Sequence, residues 1–260
     1  MERKLIPLCR SPDGATEYMS DGSSVYARRG GGLYELAVFE RNFYKLRLHN
    51  GVPLLEIDGL RMHLVKDFRT PLDYAREVVK ALRIGARDTG RTTPDTVLDT
   101  CMGLGYTAIE ASRAAGKVVT CEISRAVITL AEWNPWSEPL FKNKKIEILE
   151  GDISEKIKSM PGSSFDAVIH DPPRFSRAGE LYSLAFYREL HRTMKGGGKL
   201  FHYVGSPGKG RGRDIASGVS ARLAQAGFAR IRYDERLQGI FAGSPSSRPS
   251  PAAPSRLWRA

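Results

Sequence analysis

One acidic residue stands where an apolar run stops abruptly, in Phe165-Asp166-Ala167-Val168-Ile169-His170-Asp171-Pro172-Pro173-Arg174. The apolar part predicts a buried strand, and the two prolines end it because proline lacks an N–H donor and has a fixed φ. Asp171 is therefore predicted to be held rigidly at the carboxyl end of a strand, where open α/β sheets bind their ligands. A carboxylate in that position can accept hydrogen bonds or a proton from a reacting group.

A glycine-rich turn follows another short apolar run, in Val97-Leu98-Asp99-Thr100-Cys101-Met102-Gly103-Leu104-Gly105-Tyr106. Gly103 and Gly105 allow a ligand to approach the backbone where a side chain would collide with it. The turn is not the dinucleotide pattern G-x-G-x-x-G, because Ala108 stands at the third glycine position, and it carries no Walker lysine. Asp99 precedes the glycines, and an acid there suits a ligand with a positive group better than a pyrophosphate.

Two further acids follow the next two predicted strands. Glu122 ends the strand Lys117–Glu122, about 20 residues beyond the glycine turn, where a carboxylate can accept hydrogen bonds from both hydroxyls of a ribose. Asp152 comes after the strand Lys145–Glu150 and can accept a hydrogen bond from an adenine amino group. Three acids at three successive strand ends, together with the glycine turn, predict a site for a cationic adenosyl ligand.

From Thr96 onward, strands alternate with helix-length segments, which predicts βαβ units and a mostly parallel sheet. The predicted strands are Thr96–Asp99, Lys117–Glu122, Lys145–Glu150, Phe165–His170, Lys199–Val204, Ala229–Asp234 and Leu237–Ala242. The predicted helices are Tyr106–Ala115, Ser124–Trp133, Leu181–Met194 and Asp214–Ala226, preceded by a helix that begins at Pro71.

The first part of the chain has strand-like pieces between the turn signals Asn50-Gly51 and Asp58-Gly59, which predicts a small antiparallel element. We therefore expect a small β-rich N-terminal element over residues 1–70 and a ligand-binding catalytic domain over residues 71–242. Residues 243–260 are rich in Pro and Ser and cannot bury enough apolar surface to order themselves, so they are predicted to be a disordered tail.

Composition sets broad limits on the function. The 260 residues are 41% hydrophobic, yet no apolar run approaches the ~20 residues of a membrane helix, so we expect a cytoplasmic protein with no membrane partner. Three widely spaced cysteines, Cys9, Cys101 and Cys121, predict neither a disulfide framework nor a metal site. A net charge of +11 favours a polyanionic partner through phosphate contacts, although general solubility is the plainer explanation.

In the glycine turn, the strand-end acids and Asp171-Pro172-Pro173, residues 70–242 resemble the class I S-adenosylmethionine-dependent methyltransferases. The resemblance implies a Rossmann-like α/β fold with a mostly parallel twisted sheet, S-adenosyl-L-methionine as cofactor, and no metal ion. It places Asp99, Gly103 and Gly105 at the methionine end of the cofactor, with Glu122 at the ribose and Asp152 at the adenine. The residues that follow these positions are assigned to the same cofactor site, namely Tyr106, Ile123 and Ile153.

Most of the chain is also similar to a family of predicted archaeal methyltransferases. The matching strings are Leu55-Glu56-Ile57-Asp58-Gly59, Asp99 to Ala108, Asn134-Pro135-Trp136-Ser137, His170-Asp171-Pro172-Pro173-Arg174-Phe175-Ser176 and Leu200-Phe201-His202-Tyr203. This closer resemblance implies methyl transfer and does not name a substrate.

In methyltransferases that act on exocyclic amines of nucleobases, an Asp, Asn or Ser is followed by Pro-Pro and an aromatic that stacks on the base. Asp171 and the Pro172 carbonyl would accept the N–H groups of such an amine, with Pro173 completing the catalytic motif. Arg174 replaces the expected aromatic, and Phe175 follows it; a guanidinium plane can also stack on a base. Substrate contacts are further expected from His202 and Tyr203 at the end of the fifth strand, with core packing as the alternative.

The leading hypothesis is methylation of an exocyclic base amine in rRNA or tRNA, with the RNA backbone held by basic residues. Those residues are Arg28, Arg29, Lys45, Arg47, Arg61, Lys66 and the loop Lys209–Arg213. One alternative is methylation of a small molecule or protein. Another is aminopropyl transfer in polyamine synthesis, whose enzymes share the fold and need an acidic pocket for the polyamine. A non-catalytic RNA-binding module is disfavoured by the intact Asp171-Pro172-Pro173.

Overall fold

The computed structural model describes residues 4–86, 95–175, 177–205 and 215–246. The predicted basic loop Lys209–Arg213, Ser176 of the proline motif and most of the predicted tail lie outside the described residues. The start of that tail differs from the prediction, because Gly243 belongs to the last strand and the Ser244 N–H donates to the Gly198 carbonyl at 2.9 Å.

Eight strands precede the first helix and form two antiparallel sheets of four. They are β1 (Ile6–Arg10), β2 (Glu17–Ser20), β3 (Val25–Arg29), β4 (Gly32–Glu35), β5 (Ala37–Phe39), β6 (Phe43–His49), β7 (Val52–Ile57) and β8 (Leu60–Arg61). The predicted turns are present, with Asn50 and Asp58 at φ of 47° and 49°, as two-residue hairpin turns require. Strands β1 to β5 were not predicted, because their short apolar runs do not alternate regularly with polar residues.

The first helix, α1 (Pro71–Ala81), begins where the sequence indicates. Thr70 precedes it in an extended conformation, and its hydroxyl accepts a hydrogen bond from the Asp73 N–H at 3.2 Å. Pro71 then occupies the first helical turn, where its missing N–H has no partner to lose. The helix buries Tyr74 and Val78 against the sheet of β5 to β8, hereafter the N-terminal sheet, and against the larger sheet that follows.

That larger sheet has seven strands in the order β11-β10-β9-β12-β13-β15-β14. Its strands are β9 (Thr96–Asp99), β10 (Lys117–Glu122), β11 (Ile146–Glu150), β12 (Phe165–His170), β13 (Met194–Tyr203), β14 (Ala229–Asp234) and β15 (Gly239–Gly243). The first five run parallel and β15 pairs antiparallel with both neighbours, so the predicted mostly parallel sheet is confirmed. The strand order reverses between β9 and β12, and ligands of such sheets bind at that reversal.

The helices of this part are α2 (Tyr106–Ser112), α3 (Arg125–Trp133), α4 (Glu138–Lys142), α5 (Ile153–Ser159), α6 (Leu184–Thr193) and α7 (Ile215–Gln225). Helix α6 begins later than predicted because Ser183 caps it, accepting from the Phe186 N–H at 3.1 Å. One core packs α1, α2, α3 and the N-terminal sheets on one face of the sheet, and a second packs α5, α6 and α7 on the other. None of the helices in the described part of the chain has the length and apolar composition to span a bilayer.

Candidate active site

A cavity of about 240 Å³ lies at the carboxyl ends of β9, β10 and β12. The glycine turn and the proline motif form part of its wall, and α1 forms another part. The remaining wall comes from the N-terminal sheet, through Tyr44, Leu55, Ile57, Met62 and His63. The cavity is therefore enclosed between two parts of the chain that are far apart in sequence.

The two glycines of the turn have different roles. Gly103 has a φ of 53°, and a Cβ added to it would meet nothing within 4 Å, so its backbone is open to a ligand. Gly105 has a φ of 77° and precedes α2, and a Cβ there would approach Leu140 Cδ2 to 2.5 Å. Gly103 thus leaves room in the cavity, whereas Gly105 is required for packing against α4.

Glu122 lies at the end of β10 and lines the cavity. Its Oε2 accepts from the Gly103 N–H and its Oε1 from the Ser124 N–H, both at 3.0 Å. Burial raises the pKa of the carboxyl, and the two backbone hydrogen bonds act against that rise. Because each carboxylate oxygen can accept a second hydrogen bond, Glu122 keeps acceptor capacity for a ligand. Next to it, the Ile123 side chain is 66% exposed and lines the same cavity.

Asp171 lies directly after β12 and lines the cavity together with Pro172 and Pro173. Burial, and secondarily the nearby Asp99, raise the pKa of Asp171 to about 7. The Pro173 carbonyl accepts a hydrogen bond from the Tyr182 hydroxyl at 3.0 Å, which fixes the loop. The structure therefore places Asp171, with a near-neutral pKa, at the carboxyl end of β12 on a loop that this hydrogen bond holds.

This pKa predicts a pH-dependent rate if ionised Asp171 accepts a proton from the substrate. We expect kcat/KM to rise with pH up to about 7 and to fall about tenfold for each pH unit below it, because only the ionised form is active. Asp99→Asn is expected to move this limb to lower pH, since Asp99 helps to raise the Asp171 pKa. The measurement is the rate of transfer between pH 5 and 9, and a flat profile over that range would contradict the assignment.

Asp99 lies beneath the glycine turn and does not line the cavity. Its Oδ2 accepts from the hydroxyls of Thr107 at 3.1 Å and Thr120 at 3.0 Å, while its buried Oδ1 has no partner among the described residues. Burial raises its pKa to about 7. Thr107 does line the cavity, so Asp99 reaches the cavity wall through this hydrogen bond, and its assignment to the methionine end of a donor stays a prediction.

Asp152 and Ile153 are not brought to the cavity. Asp152 caps α5, and its Oδ1 accepts from the Ser154 N–H at 2.8 Å. Ile153 is buried in the core on the other face of the sheet. Tyr106, in contrast, lines the cavity, and its hydroxyl donates to the Pro53 carbonyl at 2.8 Å. The adenine assignment of Asp152 and Ile153 stays a prediction.

His202 and Tyr203 point to opposite faces of the sheet, as neighbouring strand residues do, and His202 takes the core-packing alternative. His202 is fully buried, its Nε2 lies 2.9 Å from the Tyr187 hydroxyl, and its ring centroid lies 4.3 Å from that of His170. His170 is equally buried, with Nδ1 2.6 Å from the Thr100 hydroxyl, and burial lowers its pKa to about 3. Both histidines are core residues in this structure.

Tyr203 is half-buried, and its phenol is close enough to Asp171 and Arg174 for their charges to affect its pKa. Burial, followed by the charge of Asp171, raises the pKa of its phenol to about 12. Arg174 and Phe175 are exposed at the end of the proline motif, and the Phe175 ring packs edge-on against Tyr182 with 5.4 Å between centroids. None of these three residues is among those that line the cavity, so their contact with a substrate stays a prediction.

Tyr74 and His63 are among the cavity residues that the sequence did not indicate. Tyr74 of α1 is 3% exposed, lines the cavity, and has a hydroxyl with no partner among the described residues. Burial raises its pKa well above the usual value, and Asp171 adds to that effect. His63 lines the cavity, its Nδ1 accepts from the Leu55 N–H at 3.2 Å, and burial lowers its pKa to about 4, so its Nε2 carries the proton. Tyr74 lies on the buried face of α1, so the sequence pattern indicates a core residue and gives no sign that its hydroxyl reaches a cavity.

Some of the cations predicted to hold RNA are engaged within the chain. Lys45 and Arg47 lie 3.5 and 3.7 Å from the carboxylate of the buried Glu56. Arg28 lies 3.4 Å from Glu17. Because each of these cations lies beside an acid, the two N-terminal sheets offer less free positive charge than the sequence indicates.

Comparisons with known proteins place this site in context. No family model matches the chain. It is 43% identical over 226 residues to the uncharacterized protein MJ1233 of Methanocaldococcus jannaschii, covering 86% of this chain and 75% of that protein. Two shorter matches each cover 28% of the relative. One is to polyamine aminopropyltransferase 2 of Streptomyces coelicolor, 29% identical over 57% of this chain. The other is to the putative ribosomal RNA large subunit methyltransferase MJ1653 of M. jannaschii, 30% identical over 41% of this chain.

Solved structures of spermidine synthase share the fold. One, in complex with the transition state analogue AdoDATO, matches 95% of this chain and 85% of its own, with a TM-score of 0.69 at 17% identity. Another, from Thermotoga maritima, matches 95% of this chain and 83% of its own, with a TM-score of 0.65 at 16% identity. The chain therefore has the Rossmann-like fold of class I S-adenosylmethionine-dependent transferases, and it belongs to the same family as MJ1233.

Proposed function

We propose that this protein is a methyltransferase that uses S-adenosyl-L-methionine to methylate an amine nitrogen held at Asp171. The observation that carries the proposal is the charge of the cavity. Among the described residues that line it, the charged side chains are Glu122 and Asp171, both acids. Such a cavity favours a cationic sulfonium donor and an amine acceptor, and it disfavours an anion at the reacting centre.

The residues present fit an adenosyl donor. The open backbone at Gly103 lets a ligand lie against the turn, and Glu122 can accept hydrogen bonds from two ribose hydroxyls. Ile123, with its exposed side chain, supplies an apolar surface for a ring. When bound, S-adenosylmethionine supplies a methyl group on a positively charged sulfur, which leaves with the electron pair of the broken C–S bond.

The chain itself positions the amine and removes its proton. The Asp171 carboxylate and the Pro172 carbonyl accept the two N–H groups, which aims the nitrogen lone pair into the cavity. The Tyr182 hydroxyl holds the next carbonyl, at Pro173, so the loop does not rotate away. Asp171 then takes the amine proton as the new C–N bond forms. General-base assistance of this kind contributes roughly 10²–10⁴-fold to a rate.

An exocyclic base amine in rRNA or tRNA is the substrate we propose. The acid-Pro-Pro motif, the exposed Phe175 and Arg174 beside it, and the net charge of +11 support this choice. A flipped base can stack on an aromatic or guanidinium plane while its amine enters the cavity. The name of the putative ribosomal RNA methyltransferase among the relatives is consistent with such a substrate.

Aminopropyl transfer is the second candidate, and a specific observation favours it. The methionine carboxylate of S-adenosylmethionine finds no cationic side chain among the described residues of the cavity wall, whereas a decarboxylated donor lacks that carboxylate. A relative is named polyamine aminopropyltransferase 2, and the likeness to spermidine synthase includes the N-terminal sheets. In this reaction Asp171 would serve a polyamine nitrogen in the same way.

Donor choice separates the two candidates. We expect turnover assays on the full chain to show methyl transfer from S-adenosylmethionine and no aminopropyl transfer from its decarboxylated form. We also expect nucleoside mass spectrometry of total RNA from a deletion strain to show loss of a single methylated base, restored by the wild-type gene and not by Asp171→Ala. Preference for the decarboxylated donor with an altered polyamine pool would establish the second candidate. Failure to bind either donor would contradict both.

A further inference from the structure

The motif Asn134-Pro135-Trp136-Ser137 contacts Tyr106 of the candidate active site, with Asn134 and Ser137 buried and Pro135 and Trp136 half-buried. Asn134 ends α3 and starts a short 3-10 turn over Pro135–Ser137. Asn134 is 1% exposed and Ser137 is fully buried, although both are polar. Polar side chains buried to this degree need hydrogen-bond partners, and one partner of Asn134 is the hydroxyl of Tyr106, which lines the cavity.

Asn134 is the central residue of a chain of hydrogen bonds. Its Nδ2 donates to the Tyr106 hydroxyl at 3.0 Å and to the Ser137 hydroxyl at 2.7 Å. Its Oδ1 accepts from the Trp136 N–H at 3.2 Å. Both amide hydrogens and the amide oxygen are therefore used, and a carboxylate could not replace this amide because it has no hydrogens to donate.

The chain continues on one side to β7 and on the other to the glycine turn, and both of these segments contribute residues to the cavity wall. The Tyr106 hydroxyl donates to the carbonyl of Pro53 in β7, which belongs to the N-terminal sheet. The Ser137 hydroxyl donates to the carbonyl of Leu104, which lies between the two glycines of the turn. Asn134 thus connects the glycine turn with the sheet that covers the cavity, through two hydroxyls and no other described side chain.

We infer that Asn134 is a positioning residue for donor binding. Through Ser137 it holds the Leu104 carbonyl, and through Tyr106 it holds the Pro53 carbonyl. It thereby fixes the distance between the glycine turn and the N-terminal sheet. The inference rests on the proposed binding of an adenosyl donor in this cavity. Because Asn134 acts through Tyr106 and Ser137, its replacement changes donor affinity and leaves Asp171 in place.

The test is calorimetric binding of S-adenosylhomocysteine to the full chain at a temperature where circular dichroism shows every variant folded. We expect Asn134→Asp to weaken binding at least tenfold and to raise the donor KM, with kcat at saturating donor within about threefold of wild type. Tyr106→Phe removes one link of the same chain and is expected to weaken binding severalfold. The double variant is expected to bind no more weakly than Asn134→Asp alone, since both changes break one network.

Asn143→Asp is the matched control. Asn143 also ends a helix in a turn, with its Nδ2 donating to the Ser112 hydroxyl at 3.0 Å and its Oδ1 accepting from the Lys145 N–H at 3.0 Å, away from the cavity. We expect it to bind S-adenosylhomocysteine within twofold of wild type. Wild-type affinity in Asn134→Asp, or an equal loss in Asn143→Asp, would overturn the inference. If Asn134→Asp does not fold, wild-type affinity in Tyr106→Phe would overturn it. A wild-type chain that does not bind the ligand would overturn the proposed function instead.

Discussion

Replacing Asp171 by Ala is expected to lower the rate of transfer at least a thousandfold while donor affinity stays within about twofold of wild type. The large effect follows from the two roles of this carboxylate, which orients the amine and accepts its proton. Donor affinity is expected to be retained because the proposed contacts to the ribose come from Glu122, which also accepts from the Gly103 N–H of the turn. Single-turnover assays measure the rate, and calorimetry measures the binding.

Asp171→Asn is the isosteric form of the same experiment. The amide can accept one N–H from the substrate and cannot take a proton at neutral pH, so we expect nearly the same loss. Asp234→Asn provides the control, because Asp234 also ends a strand, β14, and lies outside the cavity. Turnover in Asp171→Asn within threefold of wild type would sink the assignment of Asp171 as the proton acceptor.

Glu122→Ala is expected to weaken donor binding by about 1–3 kcal/mol, which is roughly 5- to 150-fold, the range for a lost hydrogen bond to a charged group. Two consequences of the change act together. The ribose loses its acceptor, and the Gly103 and Ser124 N–H groups lose the partner that fixes the turn. Calorimetry with S-adenosylhomocysteine measures the loss without requiring turnover.

Glu150→Ala is a close control for this variant. Glu150 pairs with Glu122 in the register of β10 and β11, is exposed, and lies 3.4 Å from Arg125 outside the cavity. Its removal is expected to leave donor affinity unchanged, because an exposed ion pair contributes about 0–1 kcal/mol to stability and nothing to the cavity. Equal affinity of Glu122→Ala and wild type would remove Glu122 from the donor site.

The order of strands and the position of the strand-end acids follow from local sequence. Apolar runs of strand length that end in Asp or Glu, separated by helical periods, predict parallel strands whose carboxyl ends share one edge. For that reason Glu122 and Asp171 were predicted at one site, and the structure brings both to one cavity. The start of α1 was also predicted from the sequence, because Thr70 and Pro71 form a local helix-start signal.

Other features depend on contacts between distant segments. The face to which His202 points is set by the exact register of β13, and the residues that fill the space behind it come from α6. Gly105 packs against Leu140 of α4, whereas Gly103 has open space beside it, and a motif in the turn cannot reveal this difference because Leu140 lies in a distant segment. The positions of Asp152 and Ile153 relative to a bound adenine stay predictions.

By itself the sequence determined the sheet, the acids at its edge and the rigid Asp171-Pro172-Pro173, because each depends on residues a few positions apart. Only the tertiary structure decided the other half of the site. Tyr74 and His63 reach the cavity because the N-terminal sheet and α1 pack over the strand ends. That packing buries a hydroxyl and an imidazole in the wall of the cavity, and no local periodicity distinguishes such side chains from ordinary members of a core.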